Sequence, residues 1–424
     1  MTLWQPDPAL IRRPAYLSLA DQFARAIHDG KLANGARLPT HRRLADDLKL
    51  SVQTVSRAYE ELIRRGLIAG EPMHLEKLKQ ALGWLAENLP SSSALSFRPN
   101  MVFPRHRTVA VEWLKLCGLD ASPQNISLTN GATAGMTVAL MSVAPPGSTV
   151  ATEAIGHHTL VPLARYLGFN LEGLPIDGNG LVPEALDEAC RLSGIRAVFV
   201  QPSVINPTAS LMDDSRREQI AAVARKHDIA IIENDVLGPL VEGRPPAVAA
   251  FAPERTLYVT SFTKITVPGL RIGYLAVPDR YVAAVANRHL VSNWMATPMV
   301  AEIATRWVND GTAFELVNWQ RGALRRRQEI AAEMLAGVDY RSHREGLHLW
   351  LELPGDRAEE SFVAQARLRG VAIAPGTSFR IADTPWHPAV RISLGSTTEG
   401  ELRSGLSVVA KLLLGDPEHL LLAI

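Results

Sequence analysis

Ser261-Phe-Thr-Lys264-Ile-Thr-Val-Pro-Gly-Leu-Arg271-Ile-Gly273 follows directly on the apolar, β-branched run Thr256 to Thr260. A short run of this kind, closed by a polar segment containing glycine and proline, reads as a strand with a loop at its C-terminal end. Toward the N-terminus the same signature recurs. Ile229 to Glu233 precedes Asp235, Ala197 to Gln201 precedes Asn206, and Thr149 to Thr152 opens the series. Amphipathic helical stretches separate these runs from about Asn125 onward, which is the pattern of a parallel sheet covered by helices. Asn206, Asp235 and Lys264 are each 29 residues apart, about one strand-helix unit per step. In an open α/β sheet that spacing can bring three distant side chains to one crevice beyond the strand ends, where such sheets bind ligands.

The chain of 424 residues, 47% hydrophobic, is too long for one ordinary core, so a small domain joined to a large one is expected. No apolar run approaches the roughly 20 residues that span a bilayer. Met1 to Ala20 carries Asp7, Arg12 and Arg13 without the apolar stretch of a signal peptide, and a cytoplasmic protein is expected. Cys117 and Cys190 show no CxxC spacing and there is no HExxH, which argues against a disulfide framework and a zinc site and predicts two buried free thiols. Lys and Arg total 44 against 43 Asp and Glu, so there is no general basic coat. Residues 1–71 hold 11 of the basic and 8 of the acidic residues, leaving this segment at +3 and the remainder at −2.

Within that basic segment, Leu17 to Ile27 spaces its apolar residues for a helix with one buried face, ending near Asp29 with Gly30 as its C-terminal cap. Thr40 is placed to cap a helix over His41 to Leu48, and Ser51 to cap a third over Val52 to Arg65. Three short helices in this length suit a helix-turn-helix. The runs Gly35-Ala-Arg-Leu-Pro-Thr-His-Arg-Arg-Leu-Ala45, Leu50-Ser-Val-Gln-Thr-Val-Ser-Arg-Ala-Tyr-Glu-Glu-Leu62 and Arg65-Gly-Leu-Ile68 resemble the GntR-type winged-helix module. That resemblance implies DNA binding, with the third helix in the major groove. Gln53, Thr54 and Ser56 would face base edges or phosphates, while Ser51 caps the helix and Thr40, Arg42 and Arg57 contact phosphate. Taken singly, each arginine reads as part of a solvated helical face. Position 52, where such modules often carry a base-reading arginine, is Val52. The expected Gly-rich wing and long linker are missing near 70–73, where Gly70-Glu71-Pro72 runs directly into a helical pattern over Leu75 to Asn88. Either the protein lacks them, or a mobile Gly/Ser-type linker accounts for the gap, and the second is the expected explanation.

From about Leu75 to the C-terminus the sequence resembles fold-type I pyridoxal phosphate enzymes of the aminotransferase family. The resemblance implies an α/β large domain of aminotransferase fold type I over 72–424, with a small C-terminal α+β subdomain from about 310, behind an all-α-rich winged helix-turn-helix over 1–71. It implies that Lys264 holds pyridoxal 5'-phosphate as a Schiff base, a bond only an amine can form. Ser261, Thr263 and the rigid fork of Arg271 would hold the phosphate. Asp235 would pair with the ring nitrogen. Asn206, in an Asn-Pro-Thr turn where Ala209 replaces the usual Gly, would bond the cofactor's 3-oxygen. Asn130-Gly131-Ala132-Thr133 stands where backbone N–H groups of Ala132 and Thr133 at a helix start would bind phosphate. His157 falls where an aromatic stacks on the ring, and Arg391 where an arginine grips a substrate carboxylate. Taken singly, Asn206-Pro207 reads as a turn, Asp235 as a helix cap and His157 with His158 as a solvated pair.

The order of the two motif sets resembles that of MocR-type regulators. This implies a homodimeric transcription regulator that binds operator DNA and senses an amino compound by aldimine exchange at Lys264. Acid-bearing amines such as γ-amino acids or taurine suit Arg391. Leu237 and Phe97 stand where the family commonly has tyrosine hydroxyls that serve the cofactor, which favours holding and exchanging it over turnover. Two other readings stay open on sequence: a working aminotransferase with an accessory N-terminal segment, and a regulator whose large domain only dimerises.

Overall fold

The computed structural model describes residues 4–32, 36, 38–39, 41–65, 67, 73–97, 103–355, 357–381, 386–395 and 397–415, with the side chains of His41 and Arg64 excepted. Thr40 and the residues 68–72 around the expected wing lie outside the described residues. The chain divides into two compact units, Met1–Glu76 and Lys77–Ile424.

In the first unit the helices α1 (Ala15–His28), α2 (His41–Leu48) and α3 (Val52–Arg64) fall within a residue or two of their expected bounds. Their apolar residues recur at helical spacing and meet in one core. Leu19, Phe23 and Ala26 of α1, Leu44 and Leu48 of α2, and Val55, Tyr59 and Leu62 of α3 are all buried there. Ser51 caps α3 as its residue type predicts, its hydroxyl accepting the Thr54 N–H at 3.1 Å. Among the described residues of this unit every regular element is a helix.

The second unit is built on a seven-stranded sheet in the order β1 (Ile126–Thr129), β9 (Gly273–Ala276), β8 (Thr256–Ser261), β7 (Ala230–Asn234), β6 (Ile195–Val200), β2 (Thr149–Glu153), β3 (Asn170–Leu174). The four strands read from sequence are β2, β6, β7 and β8. Both faces of these strands are buried, which accounts for near-continuous apolar runs in place of alternation. Helices Ala132–Val143, Leu160–Leu167 and Asp279–Asn293 cover one face, and Pro183–Leu192, Asp214–Lys226 and Val248–Phe251 the other.

The expectation of a parallel sheet needs one correction, because β9 runs antiparallel to both β1 and β8. Residues 262–272 between β8 and β9 hold only a short 3-10 turn at Pro268–Leu270, too little chain for a helical crossover. Gly273 suits this packing. A Cβ there would meet the Gly131 carbonyl carbon at 2.9 Å and the Thr260 carbonyl oxygen at 3.0 Å.

Beyond the 23-residue helix Thr312–Met334 a small antiparallel sheet follows, in the order β10 (Arg341–Ser342), β11 (His348–Glu352), β13 (Ala389–Ser393), β12 (Ala374–Pro375). It packs with Glu359–Leu368 and Glu399–Leu414 around Leu349, Leu351, Val390, Ile392, Leu402 and Leu406. This is the expected α+β subdomain. A hairpin of β4 (Ile176–Asp177) and β5 (Gly180–Leu181) completes the strands. Cys117 is buried as expected, but Cys190 is only half-buried, at the last turn of a surface helix.

Leu62 has no exposed area and fills the three-helix core, whereas Val52 on the same helix is 46% exposed. Leu62→Ala is expected to destabilise the first unit by about 2–5 kcal/mol. Val52→Ala should change stability by less than about 0.5 kcal/mol. Urea unfolding followed by circular dichroism checks both.

Candidate cofactor site and DNA-binding helix

Asp235, Lys264 and Asn206 follow the C-terminal ends of β7, β8 and β6, so the parallel sheet brings to one end of its strands the residues that were evenly spaced in sequence. Asp235 is fully buried. Its Oδ2 accepts the Tyr258 hydroxyl at 2.7 Å and an N–H of Arg244, while Oδ1 is buried with no hydrogen-bond partner among the described residues. The hydroxyls of Ser261 and Thr263 are likewise buried and without partners. Unpaired buried polar atoms are costly unless a ligand completes them. Lys264 itself opens to the crevice. Partial enclosure and the charges of Arg391 and Arg271 hold its ammonium below the usual lysine range, which favours a free amine.

Arg271 follows the turn Pro268–Leu270 with φ +45° and reaches the start of helix Ala132–Val143. A Cβ on Gly131 (φ +81°) would lie 2.9 Å from its Nη2, so only a glycine lets the guanidinium rest on that turn. Ala132 and Thr133 begin the helix, where backbone N–H groups lack intrahelical partners. Asn130 turns away from them. Its amide nitrogen donates to the Met295 carbonyl at 3.2 Å and its oxygen accepts the Thr297 N–H at 3.0 Å.

Arg391, on β13, donates to Asn206 Oδ1 at 2.9 Å and lies over the Phe379 ring at 4.9 Å, with its Nε buried and unpartnered. The smaller sheet thereby supplies the crevice's second arginine. Ala209 takes up the left-handed backbone, φ +60°, that the usual Gly would adopt without strain. His157 stacks on His158 at 4.8 Å and 17°, with Nδ1 2.8 Å from the Thr159 hydroxyl. Burial, then His158, Lys264 and Arg391, push its imidazole down to about 3, so it is neutral at physiological pH. Leu237 is buried and offers no hydroxyl, and Phe97 is 85% exposed.

Sequence reasoning missed Arg244 and Tyr258. Neither stands in a motif: Arg244 lies in a Gly-Arg-Pro-Pro loop nine residues after Asp235, and Tyr258 reads as an ordinary strand residue.

On α3 the buried face leaves Val52, Gln53 and Arg57 exposed and Thr54 and Ser56 half-buried. Arg57 rests on the Tyr16 ring at 3.9 Å, and Ser56 bonds Glu60 at 3.3 Å. Thr54 Oγ1 lies 2.8 Å from Ser51 Oγ at the cap. Arg42, on α2, is exposed. Among the described residues no group of three or more His, Cys, Asp or Glu could hold a metal ion, and no helix is long and apolar enough to cross a membrane.

Residues 69–409 match the family described as aminotransferase class I and II. The chain belongs to that family. Residues 15–74 match the bacterial regulatory proteins of the gntR family, so the chain joins a gntR-type module to an aminotransferase class I and II domain, in the order of MocR-type proteins. The uncharacterised HTH-type transcriptional regulator YdeF of Bacillus subtilis is 26% identical, with 97% of this chain and 96% of that protein covered. The HTH-type pyridoxine biosynthesis transcriptional regulator PdxR of Corynebacterium glutamicum is 24% identical over 92% of this chain and 94% of its own. In fold, the chain is similar to an archaeal alanine:glyoxylate aminotransferase, TM-score 0.74 at 22% identity, covering 85% of this chain and 94% of that one. It is also similar to Pyrococcus horikoshii kynurenine aminotransferase, TM-score 0.72 at 21% identity, covering 80% and 86%.

His348, on β11, is buried beneath the crevice with Nε2 3.2 Å from the Ile205 carbonyl. Burial, then Arg391, lowers its imidazole to about 4. The folded state therefore binds fewer protons than the unfolded one between the ordinary histidine range and about pH 4. His348 contributes stability that is present above that range and lost as pH falls through it. His348→Gln should flatten the slope of unfolding free energy against pH over this window. Comparison with the parent protein isolates the effect from carboxylates that titrate nearby.

Proposed function

We propose that the protein is a pyridoxal phosphate-dependent transcription regulator that senses an acid-bearing amine at Lys264. The observation that carries this reading is the set of unsatisfied groups around one crevice. Asp235 Oδ1, Ser261 Oγ and Thr263 Oγ1 are buried without partners, and Lys264 and Arg271 stand beside them. These residues fit the cofactor. Ser261, Thr263, Arg271 and the first turn at Ala132 and Thr133 suit a phosphate, and Asp235 Oδ1 suits a ring N–H. When bound, pyridoxal phosphate supplies an electrophilic carbonyl carbon and an electron-withdrawing ring.

Around that group the chain's own residues do the work. The lowered proton affinity of Lys264 keeps part of its amine nucleophilic and able to yield its place to another amine. Arg391 offers a bidentate fork to the acid group of the incoming compound. Asn206 now occupies part of that fork, and a carboxylate or sulfonate is a stronger partner than an amide oxygen. Arg391 belongs to the smaller sheet and Asn206 to the loop after β6, so the exchange of partners alters how the two lobes are joined. Such a change biases one arrangement of the protein over another, as a sensor requires.

In this reading α3 enters the major groove with Gln53, Thr54 and Ser56 toward base edges, while Ser51 fixes the start of the helix and Thr40, Arg42 and Arg57 contact phosphates. The protein would act in the cytoplasm as a homodimer, a contact to which exposed Leu95, Phe97 and Val291 are suited. The domains run over 1–71 and 72–424 with a shortened connection. The alignment with YdeF is 452 positions long, more than the 424 residues of this chain, so that relative carries segments this chain lacks.

Absorption spectra test the sensing step. Lys264→Ala is expected to remove both the visible band of the reconstituted protein and its response to amines. Arg391→Ala should raise the concentration of an acid-bearing amine needed for half response by about 10- to 100-fold. Simple alkylamines, which offer nothing to Arg391, should titrate both proteins alike. Steady production of keto acid over many turnovers, in a protein that retards no DNA fragment, would overturn the regulator reading in favour of an aminotransferase.

A further inference from the structure

The two oxygens of Asp235 are treated unequally. Oδ1, the oxygen left for a ring N–H, has no partner, while Oδ2 is engaged twice, by the Tyr258 hydroxyl at 2.7 Å and by Nη1 of Arg244. The pair is enclosed, with 8% of the Arg244 side chain and none of Asp235 exposed. Arg244 is also held from behind. Its Nη2 donates to the Cys117 carbonyl, and its Nη1 packs so closely on Gly238 that a Cβ there would collide with both Arg244 and Asp235. The guanidinium is therefore a built part of the pocket floor.

Other groups packed around Asp235 do not replace this charge. Burial keeps the Tyr258 hydroxyl and the Cys117 thiol, the latter pushed up to about 11, in their neutral forms. Glu233, on β7 two residues before Asp235, is pushed up to about 7 by burial and by the charge of Asp235, and accepts the N–H groups of Val248 and Ala249. Arg217 is buried too, but its donors go to the carbonyls of Met212, Pro202, Pro245 and Pro246 and to the Ser203 hydroxyl. Burial opposes the charge of Arg244, and the attraction of Asp235 more than offsets it, so Arg244 stays cationic.

We propose that Arg244 is a tuning residue: by pairing with Oδ2 of Asp235 it leaves Oδ1 a weak acceptor, so that a pyridine nitrogen placed there holds its proton less firmly. The inference rests on the reading that the crevice binds pyridoxal phosphate. Its physical basis is that a carboxylate compensated by a guanidinium and a phenol presents a less negative potential at its remaining oxygen. A ring that gives up its nitrogen proton easily is a weaker electron sink. Amine capture needs only the carbonyl carbon, whereas proton transfers at the captured amine need the sink. Arg244 thus favours sensing over turnover through a contact that leaves Lys264 untouched.

The test is the pH dependence of the ring nitrogen in protein reconstituted with pyridoxal phosphate labelled with 15N at that position, followed by NMR. Arg244→Met is expected to raise the proton affinity of the ring nitrogen by about tenfold or more, one pH unit in the profile. Tyr258→Phe removes the other donor to Oδ2 and should move the profile the same way by less, which keeps the idea testable if Arg244→Met fails to fold. Arg244→Lys, which restores a cation, should return the profile toward that of the parent. Identical profiles in the parent, Arg244→Met and Tyr258→Phe would overturn the proposal. A parent protein that takes up no cofactor, seen without any variant as the lack of a visible band, would instead overturn the reading of the crevice on which it rests.

Discussion

A carboxylate with no exposed surface is expensive unless its charge is answered, and Asp235 has none. The neighbouring elements supply part of the answer. β8 brings Tyr258, the loop after Gly238 brings Arg244, and the end of helix Pro104–Leu116 brings the Cys117 carbonyl that holds Arg244 in place. The answer is one-sided, because Oδ1 is left open toward the crevice. One strand, one loop and one helix end thus serve Oδ2, and Oδ1 is left for a group that comes from outside the fold. Removing either donor alone would leave a buried charge less compensated, so the carboxylate, the phenol and the guanidinium form a single unit rather than three separable contacts.

The antiparallel insertion of β9 serves the same site from the opposite side. Had the chain crossed over by a helix after β8, Arg271 would have been carried away from Lys264. The short return through Pro268–Leu270 instead places it on Gly131, at the start of the helix that follows β1. Elements from the start and the end of the sheet's sequence order, each suited to an anion, thereby become neighbours. The cost is close backbone approach, visible at Gly273, and a left-handed arginine at 271. Positive φ at a non-glycine residue is unfavourable, and Ala209 shares it in the Asn-Pro turn. Both strained positions border the crevice.

Much of this was legible in the sequence, and the reason is local. Strands buried on both faces must be runs of apolar and β-branched residues, so β2, β6, β7 and β8 announce themselves, and the even spacing of Asn206, Asp235 and Lys264 follows from one strand-helix unit per step. The faces of α1 to α3 and the Ser51 cap of α3 are equally local. What escaped depends on pairing between distant segments. The direction of β9 is set by the length of a loop, and the role of Tyr258 by a neighbouring strand. Arg244 is invisible for a related reason: one arginine in a loop is ordinarily a solvated side chain, and only the fold shows that this one points inward.

The contact between Arg391 and Asn206 sets how large a response the large unit could give. Exchanging a guanidinium–amide hydrogen bond for a guanidinium–acid ion pair is worth about 1–3 kcal/mol, a shift of roughly 5- to 150-fold between two arrangements. Moving a population from almost wholly one state to almost wholly the other takes about 5.5 kcal/mol. Arg391 alone therefore cannot throw a complete switch. Other side chains that border the same region come from both lobes: Phe379, beneath the arginine, and His158, edge-on to Phe379 at 5.7 Å. A ligand whose body fills the space against Phe379 and His158 while its acid group takes Arg391 adds apolar burial to the ionic exchange, about 25 cal/mol for each Å² removed from water. On this arithmetic the acid group gives the compound its direction, and the size of what lies between the acid and the amine decides how far the equilibrium moves.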